Sequence, residues 1–289
     1  MAHSIITNTA RRILGNSIIT NQSELVRNYA SLECKATLAK QPPPPKKCTD
    51  MHKPLGDKRF APVTHVIFNL DGVLVNSERL IMQAHMKYLS RFKKHYPLDL
   101  RMKVQGRREL DAAALIVREH NLPLTPEVYA HGVRQHVRDL MPKAKITKGI
   151  RDLICHLSLN KIPIALNTSS TEFTFPWKTR DKDLKDIMHR FCHITYGTEV
   201  KNGKPDPESY VRSMRKFEPK PKKAISVLAI EDSEAGVLSA KAAGLQTVMY
   251  PDIQAPAEFR KHADLVITDI TKLDLDEFSL PVIKAGTYY

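Results

Sequence analysis

The chain has 289 residues, 42% of them hydrophobic, and a formal net charge of +14. This length is enough for one sizeable α/β domain with an insertion, or for two domains. No apolar run approaches the roughly 18 residues of a membrane span, so we predict a soluble protein with no membrane partner. The four cysteines lack CxxC or other metal-ligand spacing and indicate a reducing compartment.

The positive charge is concentrated in two segments of the chain. Residues 1–60 carry ten Lys or Arg against four Asp or Glu, and residues 82–145 carry thirteen against six. Such segments favour anionic partners, which include phosphorylated metabolites, nucleic acid and acidic lipid. A solvated surface is the simpler interpretation of the first segment. Nucleic acid ranks last, because few aromatic residues lie between the basic ones to stack on bases.

The first 60 residues are predicted to be an extension that precedes the folded part. Arg11, Arg12 and Arg27 accompany several hydroxyl residues and few acids, a composition typical of a mitochondrial transit peptide. A disordered extension fits equally well, so a cytoplasmic and a mitochondrial location both remain open. A run of four prolines at 42–45 indicates an extended linker before the fold.

The next predicted element is a buried parallel strand at about 65–70, followed by a helix. Apolar and β-branched residues lead to Asn69 and Asp71, and Gly72 lets the backbone turn sharply. In an open α/β sheet, ligands bind beyond the carboxyl ends of the strands. Asn69 and Asp71 are therefore candidates for holding a cation or a phosphoryl group. An ordinary Asn/Asp turn would produce the same pattern.

Residues 78–145 are predicted to be helical. Apolar residues recur at helical spacing in three stretches, and the second and third end near Pro123 and Pro142. A basic turn, Gly106-Arg107-Arg108, lies between the first and second stretches. A solvated basic helix start would account for this turn on its own.

The following region alternates helices and strands. A helix is predicted at 149–159, then a second strand at about 162–170 that ends in the hydroxyl residues Thr168 and Ser169. A short third strand is predicted at 193–197. Between these strands the pattern is unclear, and four apolar residues are expected to be packing residues: Phe173, Phe175, Trp177 and Leu184.

Two further motifs carry charged residues at the ends of predicted elements. In Gly203-Lys204-Pro205-Asp206-Pro207 the prolines set a rigid turn and start a helix, so that Lys204 projects from the turn. A buried strand from about 227 ends in Glu231 and Asp232, and a helix rich in small residues follows. Adjacent carboxylates repel each other unless they share a cation, and hard oxygen ligands favour Mg²⁺.

Two more strands, predicted at 246–252 and 265–268, complete the set. The motifs at the strand ends occur in order over about residues 63–285, and together they resemble those of the haloacid dehalogenase (HAD) superfamily. Within it, the strings around Lys204 and Glu231 are most similar to those of pseudouridine-5′-phosphatases.

The resemblance implies a fold and a division of the chain. The fold is α/β, with a Rossmann-like parallel sheet that has helices on both faces and an inserted all-helical cap. The implied domains are an N-terminal extension at 1–60, a core at 61–80 and 146–289, and a cap at 81–145. The implied activity is that of a Mg²⁺-dependent phosphatase of small phosphorylated, nucleotide-like metabolites.

The resemblance also implies roles for individual residues. Asn69 stands where the family has the Asp that forms an aspartyl-phosphate, and Asp71 would protonate the leaving oxygen and then activate water. The Thr168 hydroxyl and the Ser169 amide would bind phosphoryl oxygens. Lys204 would neutralise the nucleophile and the phosphate. The remaining implied roles are substrate binding by Arg107 and Arg108, and Mg²⁺ binding by Asn69, Asp71, Glu231 and Asp232.

Asn69 is the departure that decides the predicted activity. An amide is neutral and far less nucleophilic than a carboxylate, and loss of an essential nucleophile commonly costs about 10⁴–10⁶ in rate. Asn76 also stands where the family usually has Asp. We therefore predict a phosphatase scaffold that binds a phosphorylated ligand with impaired or lost hydrolysis. The alternatives are an active phosphomonoesterase in which Asp71 activates water directly, and a basic nucleic-acid-associated protein.

Overall fold

The computed structural model describes residues 59–283. The extension predicted over residues 1–60 therefore lies outside the described residues, apart from Arg59 and Phe60. Phe60 is buried and stacks on Phe278, with the ring centroids 4.4 Å apart. Phe60 thus belongs to the folded part of the chain.

Six parallel strands form one sheet. They are β1 His65–Asn69, β2 Ile164–Asn167, β3 Ile194–Thr195, β4 Val227–Glu231, β5 Gln246–Met249 and β6 Leu265–Val266. Their order across the sheet is β3-β2-β1-β4-β5-β6. The α/β fold with a parallel sheet that the sequence predicts is confirmed, and β6 lies at one edge as expected.

Nine α-helices lie within residues 59–283. They are α1 Glu78–Leu89, α2 Leu98–Val104, α3 Glu109–His120, α4 Pro126–Leu140, α5 Ile150–Leu159, α6 Phe175–Lys178, α7 Lys182–Met188, α8 Glu208–Lys216 and α9 Glu234–Ala242. Short 3₁₀ turns connect several elements: Ser90–Phe92, Met141–Lys143, Gly197–Glu199, Ala224–Ser226, Ala257–Phe259, Ile270–Lys272 and Asp276–Phe278. None of the described helices combines the length and the apolar character needed to cross a membrane.

Helices cover both faces of the sheet. On one face, Val66 and Phe68 pack in a large apolar cluster that includes residues of α5 and α7. On the other face, Ile67 packs with Tyr210 of α8 and Ala240 of α9. Successive residues of β1 point to opposite faces and are all buried, which explains the uninterrupted apolar run of this strand.

The chain between β1 and β2 begins with four helices, α1 to α4, that have an apolar cluster of their own. We call residues 78–143 the helical insertion. Its cluster includes the buried side chains of Tyr88, Ile116, Tyr129 and Val133. The helical pattern predicted for this part of the chain is therefore present. The cap boundaries at 81 and 145 stay a prediction.

The segment for which the sequence pattern is unclear forms two short helices, α6 and α7. Phe175, Trp177 and Leu184 are buried as predicted. The prediction for Phe173 is wrong, since this side chain is 61% exposed. Phe173 lies in the turn before α6, where its ring and that of Trp177 meet edge to face, with centroids 5.1 Å apart. A turn on the surface offers no second wall against which it could pack.

The carboxyl ends of the central strands lie at one edge of the sheet. Asn69 is opposite Asn167 in the β1–β2 register, and Phe68 is opposite Ile230 in the β1–β4 register. The residues that follow these positions therefore meet at this edge. It is where the ligands of open α/β sheets bind.

Candidate functional site

Asn69, the last residue of β1, is at the centre of the candidate site. Its side chain is buried and bonds to three neighbours. Nδ2 donates to the carbonyl oxygen of Asp71 at 2.8 Å and to Asp232 Oδ1 at 2.8 Å. Oδ1 accepts from Lys204 Nζ at 3.2 Å. The structure thus brings four of the predicted site residues into direct contact.

Lys204 is buried beneath the strand ends. Its ammonium donates to Glu231 Oε1 at 2.5 Å, and the Tyr210 hydroxyl donates to the same oxygen. The side chains of Lys204 and Glu231 are 1% and 0% exposed. Water therefore cannot solvate either charge if the other is removed. Lys204 therefore connects Asn69 of β1 to Glu231 of β4.

Asp232 receives an N–H group on each carboxylate oxygen. Asn69 donates to Oδ1, and Nε2 of Gln105 donates to Oδ2 at 2.6 Å. Burial raises the pKa of Asp232 well above its ordinary value, and the negative charges of nearby acids add to this shift. The hydrogen bond from Gln105 and the charge of Lys204 oppose it. Because Gln105 belongs to the helical insertion, this bond also joins the insertion to the end of β4.

The Asp71 carboxylate is held by donors on both of its oxygens. Ser77 donates to Oδ1 at 2.5 Å. Lys178 Nζ lies 2.7 Å from Oδ2, and Ser170 donates to the same oxygen at 3.3 Å. Lys178 also donates to the Ser170 hydroxyl at 2.8 Å. These bonds hold the carboxylate in one orientation, in which it can exchange a proton with a molecule bound beside it.

The hydroxyl residues after β2 differ in where they point. Thr168 is buried, and its Oγ1 accepts from the Ser170 amide at 3.1 Å. Ser169 faces the space below the helical insertion and donates to the carbonyl oxygen of Gly106 at 2.7 Å. The phosphoryl-binding role of Thr168 and Ser169 stays a prediction.

The two arginines of the basic turn also point in different directions. Arg107 lines a cavity between the strand ends and the helical insertion, and its Nε donates to the carbonyl oxygen of Lys103 at 2.8 Å. Arg108 forms a two-bond ion pair with Asp111 and donates to the carbonyl oxygens of Val200 and Lys201. The structure therefore brings Arg107 to the site but not Arg108, because the guanidinium of Arg108 is already bonded elsewhere.

A cavity of about 130 Å³ lies between the strand ends and the helical insertion. Its core wall carries polar and charged side chains: Asn69, Asp71, Ser169, Ser170 and Lys178. Its insertion wall carries aromatic and apolar side chains, which include His85, Tyr96, Tyr129, Ala113 and Val133, together with four charged ones: Arg101, Arg107, Glu109 and Arg134. A bound molecule would therefore meet polar and charged groups on the core wall, and both apolar and charged groups on the insertion wall.

Three titratable side chains of the insertion wall, His85, Tyr96 and Tyr129, are kept neutral by burial. Burial lowers the pKa of His85 to about 4 and raises the pKa of the Tyr96 and Tyr129 hydroxyls. His85 Nδ1 and the Tyr129 hydroxyl lie 3.0 Å apart and share a hydrogen bond. Near neutral pH these three side chains are therefore uncharged.

Glu78 lies where the two walls meet. Burial and the neighbouring charge of Asp71 raise its pKa to about 8, while the positive charges of Lys178 and Arg101 act in the opposite direction. A protonated carboxyl is a hydrogen-bond donor as well as an acceptor. Glu78 is thus a cavity residue that the motifs did not indicate.

The predicted Mg²⁺ ligands do not fit a cation in their present arrangement. The backbone carbonyl oxygen of Asp71 and Oδ1 of Asp232 accept the amide hydrogens of Asn69. Glu231 accepts hydrogen bonds from Lys204 and Tyr210. Within residues 59–283, no three His, Cys, Asp or Glu side chains are arranged to hold a metal ion. Mg²⁺ binding therefore stays a prediction.

Several residues of the site were not predicted from the sequence. Gln105 directly precedes the basic turn, and its position there was a usable signal. Lys178 lies in the segment of unclear pattern, and Tyr210 is one of several apolar-looking residues of α8.

Asn76, which differs from the family pattern, is exposed. Its side chain accepts a hydrogen bond from the Lys145 amide at 2.8 Å, so it closes the base of the helical insertion.

The comparisons with known proteins identify the family and agree with the fold. Residues 66–250 match the family described as haloacid dehalogenase-like hydrolase. The chain is 34% identical to (DL)-glycerol-3-phosphatase 2 of Arabidopsis thaliana, over 76% of this chain and 92% of that one. It is 33% identical to a probable pseudouridine-5′-phosphatase of Drosophila melanogaster, over 78% of this chain and 98% of that one.

A solved structure shares the fold. CbbY from Rhodobacter sphaeroides, in complex with phosphate, superposes with a TM-score of 0.63 at 21% identity, and the match covers 75% of this chain and all of that one. The family match spans more than half of the chain, and both relatives are aligned over nearly their whole length. This chain belongs to the haloacid dehalogenase-like hydrolase family.

Proposed function

We propose that this protein binds a small phosphate monoester in the cavity and hydrolyses it very slowly or not at all. The observation that carries the proposal is the amide of Asn69 at the end of β1, in contact with Lys204 and Asp232. A carboxylate at this position could attack phosphorus, whereas an amide oxygen that already accepts from an ammonium is a poor nucleophile.

The absence of a negative charge at position 69 supports binding of an anion. The Lys178 ammonium lines the cavity, where it pairs with Asp71, whereas Lys204 lies buried against Asn69 and pairs with Glu231. Asn69 adds no negative charge of its own. Two unit charges 4 Å apart interact by about 4 kcal/mol at an effective dielectric constant of 20. An Asp at position 69 would therefore repel a phosphate dianion appreciably, and Asn69 avoids this repulsion. The proposal does not depend on the predicted Mg²⁺.

The relatives support the ligand class. One is a (DL)-glycerol-3-phosphatase and another a probable pseudouridine-5′-phosphatase, and each name denotes a phosphate ester of a small hydroxyl-bearing molecule. The insertion wall suits such a body, because His85, Tyr129 and Glu78 offer hydrogen-bonding groups between apolar side chains. The order of affinities within this class is set by these side chains.

The test is a phosphate-release assay over a panel of nucleoside, sugar and glycerol monophosphates, with the native chain beside Asn69→Asp. We expect the variant to exceed the native chain by a factor of about 10⁴ or more, because it regains the nucleophile. Binding to the native chain is measured by calorimetry on the same panel. The matched control is Asn76→Asp, which makes the same change at the base of the insertion and should leave the rate unchanged.

Two results would contradict the proposal. Rapid hydrolysis by the native chain would favour the alternative in which Asp71 activates water directly. No binding of any phosphate ester to the native chain would remove the proposed function altogether.

A further inference from the structure

The amide nitrogen of Asn69 lies between two oxygens from the predicted cation site. It is 2.8 Å from the carbonyl oxygen of Asp71 and 2.8 Å from Asp232 Oδ1. A primary amide has two N–H groups, and here each has its own acceptor. Both hydrogens therefore point at oxygens of two residues, Asp71 and Asp232, for which the family resemblance implies Mg²⁺ binding.

The orientation of this amide is determined by its neighbours. Oδ1 of Asn69 faces the Lys204 ammonium, which can only donate. Rotating the amide by 180° would place its NH₂ group against this ammonium and its oxygen against the oxygens of Asp71 and Asp232. All three hydrogen bonds would be lost, and like partial charges would face each other. Only one orientation of the amide satisfies the site.

The second oxygen of Asp232 is also occupied. Gln105 Nε2 donates to Oδ2 at 2.6 Å, and the Asp232 side chain is buried. Glu231 accepts from Lys204 and Tyr210. The buried oxygens at the end of β4 thus have N–H, O–H or ammonium donors from this chain, which meets the demand that buried polar groups be paired.

We propose that the Asn69 amide takes the place of the divalent cation, so that the site keeps its shape without Mg²⁺ and binds Mg²⁺ far more weakly than an Asp at position 69 would allow. A carboxylate at this position would present one oxygen to Lys204 and the other to a cation. The amide instead presents a donor where the cation would sit. Only the expectation that a phosphate ester binds without a cation rests on the proposed function.

The first experiment measures Mg²⁺ affinity by calorimetry, with Mn²⁺ binding by electron paramagnetic resonance as a second readout, for the full native chain and Asn69→Asp. We expect the native chain to bind about 100-fold more weakly, because the site lacks one charged oxygen ligand. Equal affinities within about threefold would overturn the inference.

The matched control is again Asn76→Asp, which adds one negative charge near the site while keeping the acceptor for the Lys145 amide. We expect no rise in Mg²⁺ affinity from this change. If Asn76→Asp raises the affinity as much as Asn69→Asp does, the effect is one of general charge and the inference fails.

A second measurement needs no variant. The melting temperature of the native chain is recorded with about 10 mM Mg²⁺ and with a chelator, since a cation that binds the folded state stabilises it. We expect no shift, and a rise of several degrees with Mg²⁺ would overturn the inference. Phosphate-ester binding in chelator is then measured on the same sample. If no phosphate ester binds in chelator while Mg²⁺ binding stays weak, the proposed function is refuted, but the inference about the Asn69 amide holds.

Discussion

The two walls of the cavity hold their side chains in place by different means. On the core wall, Asp71 and Lys178 form an ion pair, and beneath it Lys204 pairs with Glu231. On the insertion wall, His85 and Tyr129 share a neutral hydrogen bond among apolar side chains. Ion pairs hold the charged side chains of the first wall, whereas a neutral hydrogen bond and apolar contacts hold His85 and Tyr129 on the second.

Under the proposed function, this difference separates the two parts of ligand recognition. The core wall would bind the phosphate group, because ionic attraction to Lys178 does not depend on the body of the ligand. Variants of the two walls test whether the core depends on its buried ion pair and the insertion wall on a neutral His85.

The largest expected effect comes from the buried ion pair of the core wall. Lys204→Met leaves the Glu231 carboxylate buried without its cation, which we expect to lower the free energy of unfolding by about 3–5 kcal/mol. Urea unfolding followed by circular dichroism measures it. The control is Lys201→Met, an exposed lysine three residues away, with an expected effect below about 0.5 kcal/mol. Equal losses from both variants would show that the core wall does not depend on this pair.

A smaller effect is expected from the insertion wall on acidification. The pKa of His85 is about 4 in the folded state against an ordinary 6.5, so the unfolded state takes up a proton first as the pH falls. Stability from neutral His85 is fully present above about pH 6.5 and is lost progressively down to about pH 4. We expect a loss of about 2–3 kcal/mol over this range.

Other groups titrate in the same range, so the measurement is a difference. The free energy of unfolding is determined between pH 4 and 7 for the native chain and for His85→Gln, which has no titratable group but can still bond to Tyr129. The native chain should lose more stability than the variant by the stated amount. Parallel curves would mean that His85 is not held neutral in the folded state.

The smallest effect is expected where the insertion meets the core away from the cavity centre. Arg101 of α2 pairs with Asp252 at 2.5 Å and also donates to Gln254 at 3.1 Å. Because both charged side chains are largely buried, we expect Arg101→Ala to cost about 1–2 kcal/mol and to speed amide hydrogen exchange in α2. The control is Lys103→Ala, whose pair with Asp99 is exposed and should contribute little. If amide hydrogen exchange in α2 is unchanged in Arg101→Ala, the Arg101–Asp252 pair does not hold the insertion to the core.

Local patterns in the sequence were sufficient to predict the strands and the order of the strand-end motifs. The uninterrupted apolar run of β1 indicates a strand buried on both faces, and it is followed by Asn69 and Asp71, as the site requires. The prediction for Phe173 was wrong, because an aromatic residue in a polar segment does not reveal which side of a turn faces the solvent.

Long-range contacts of the site could not be predicted in the same way. Lys178 pairs with a residue 107 positions earlier in the chain, and Gln105 bonds to one 127 positions later. Arg107 and Arg108 are adjacent and alike in sequence, yet only Arg107 reaches the cavity, because Asp111 and two carbonyl oxygens bind Arg108. Nothing in the local pattern distinguishes these two arginines.

The amino-acid sequence by itself determined the family, the parallel sheet and the presence of an amide at position 69, where the family resemblance implies a nucleophilic carboxylate. These follow from residue identity and short-range periodicity, which are properties of the chain alone. Only the tertiary structure decided which way the Asn69 amide points, because that depends on a donor at Lys204 and acceptors at Asp71 and Asp232. These partners meet only when β1, β4 and the turn before α8 come together at one edge of the sheet.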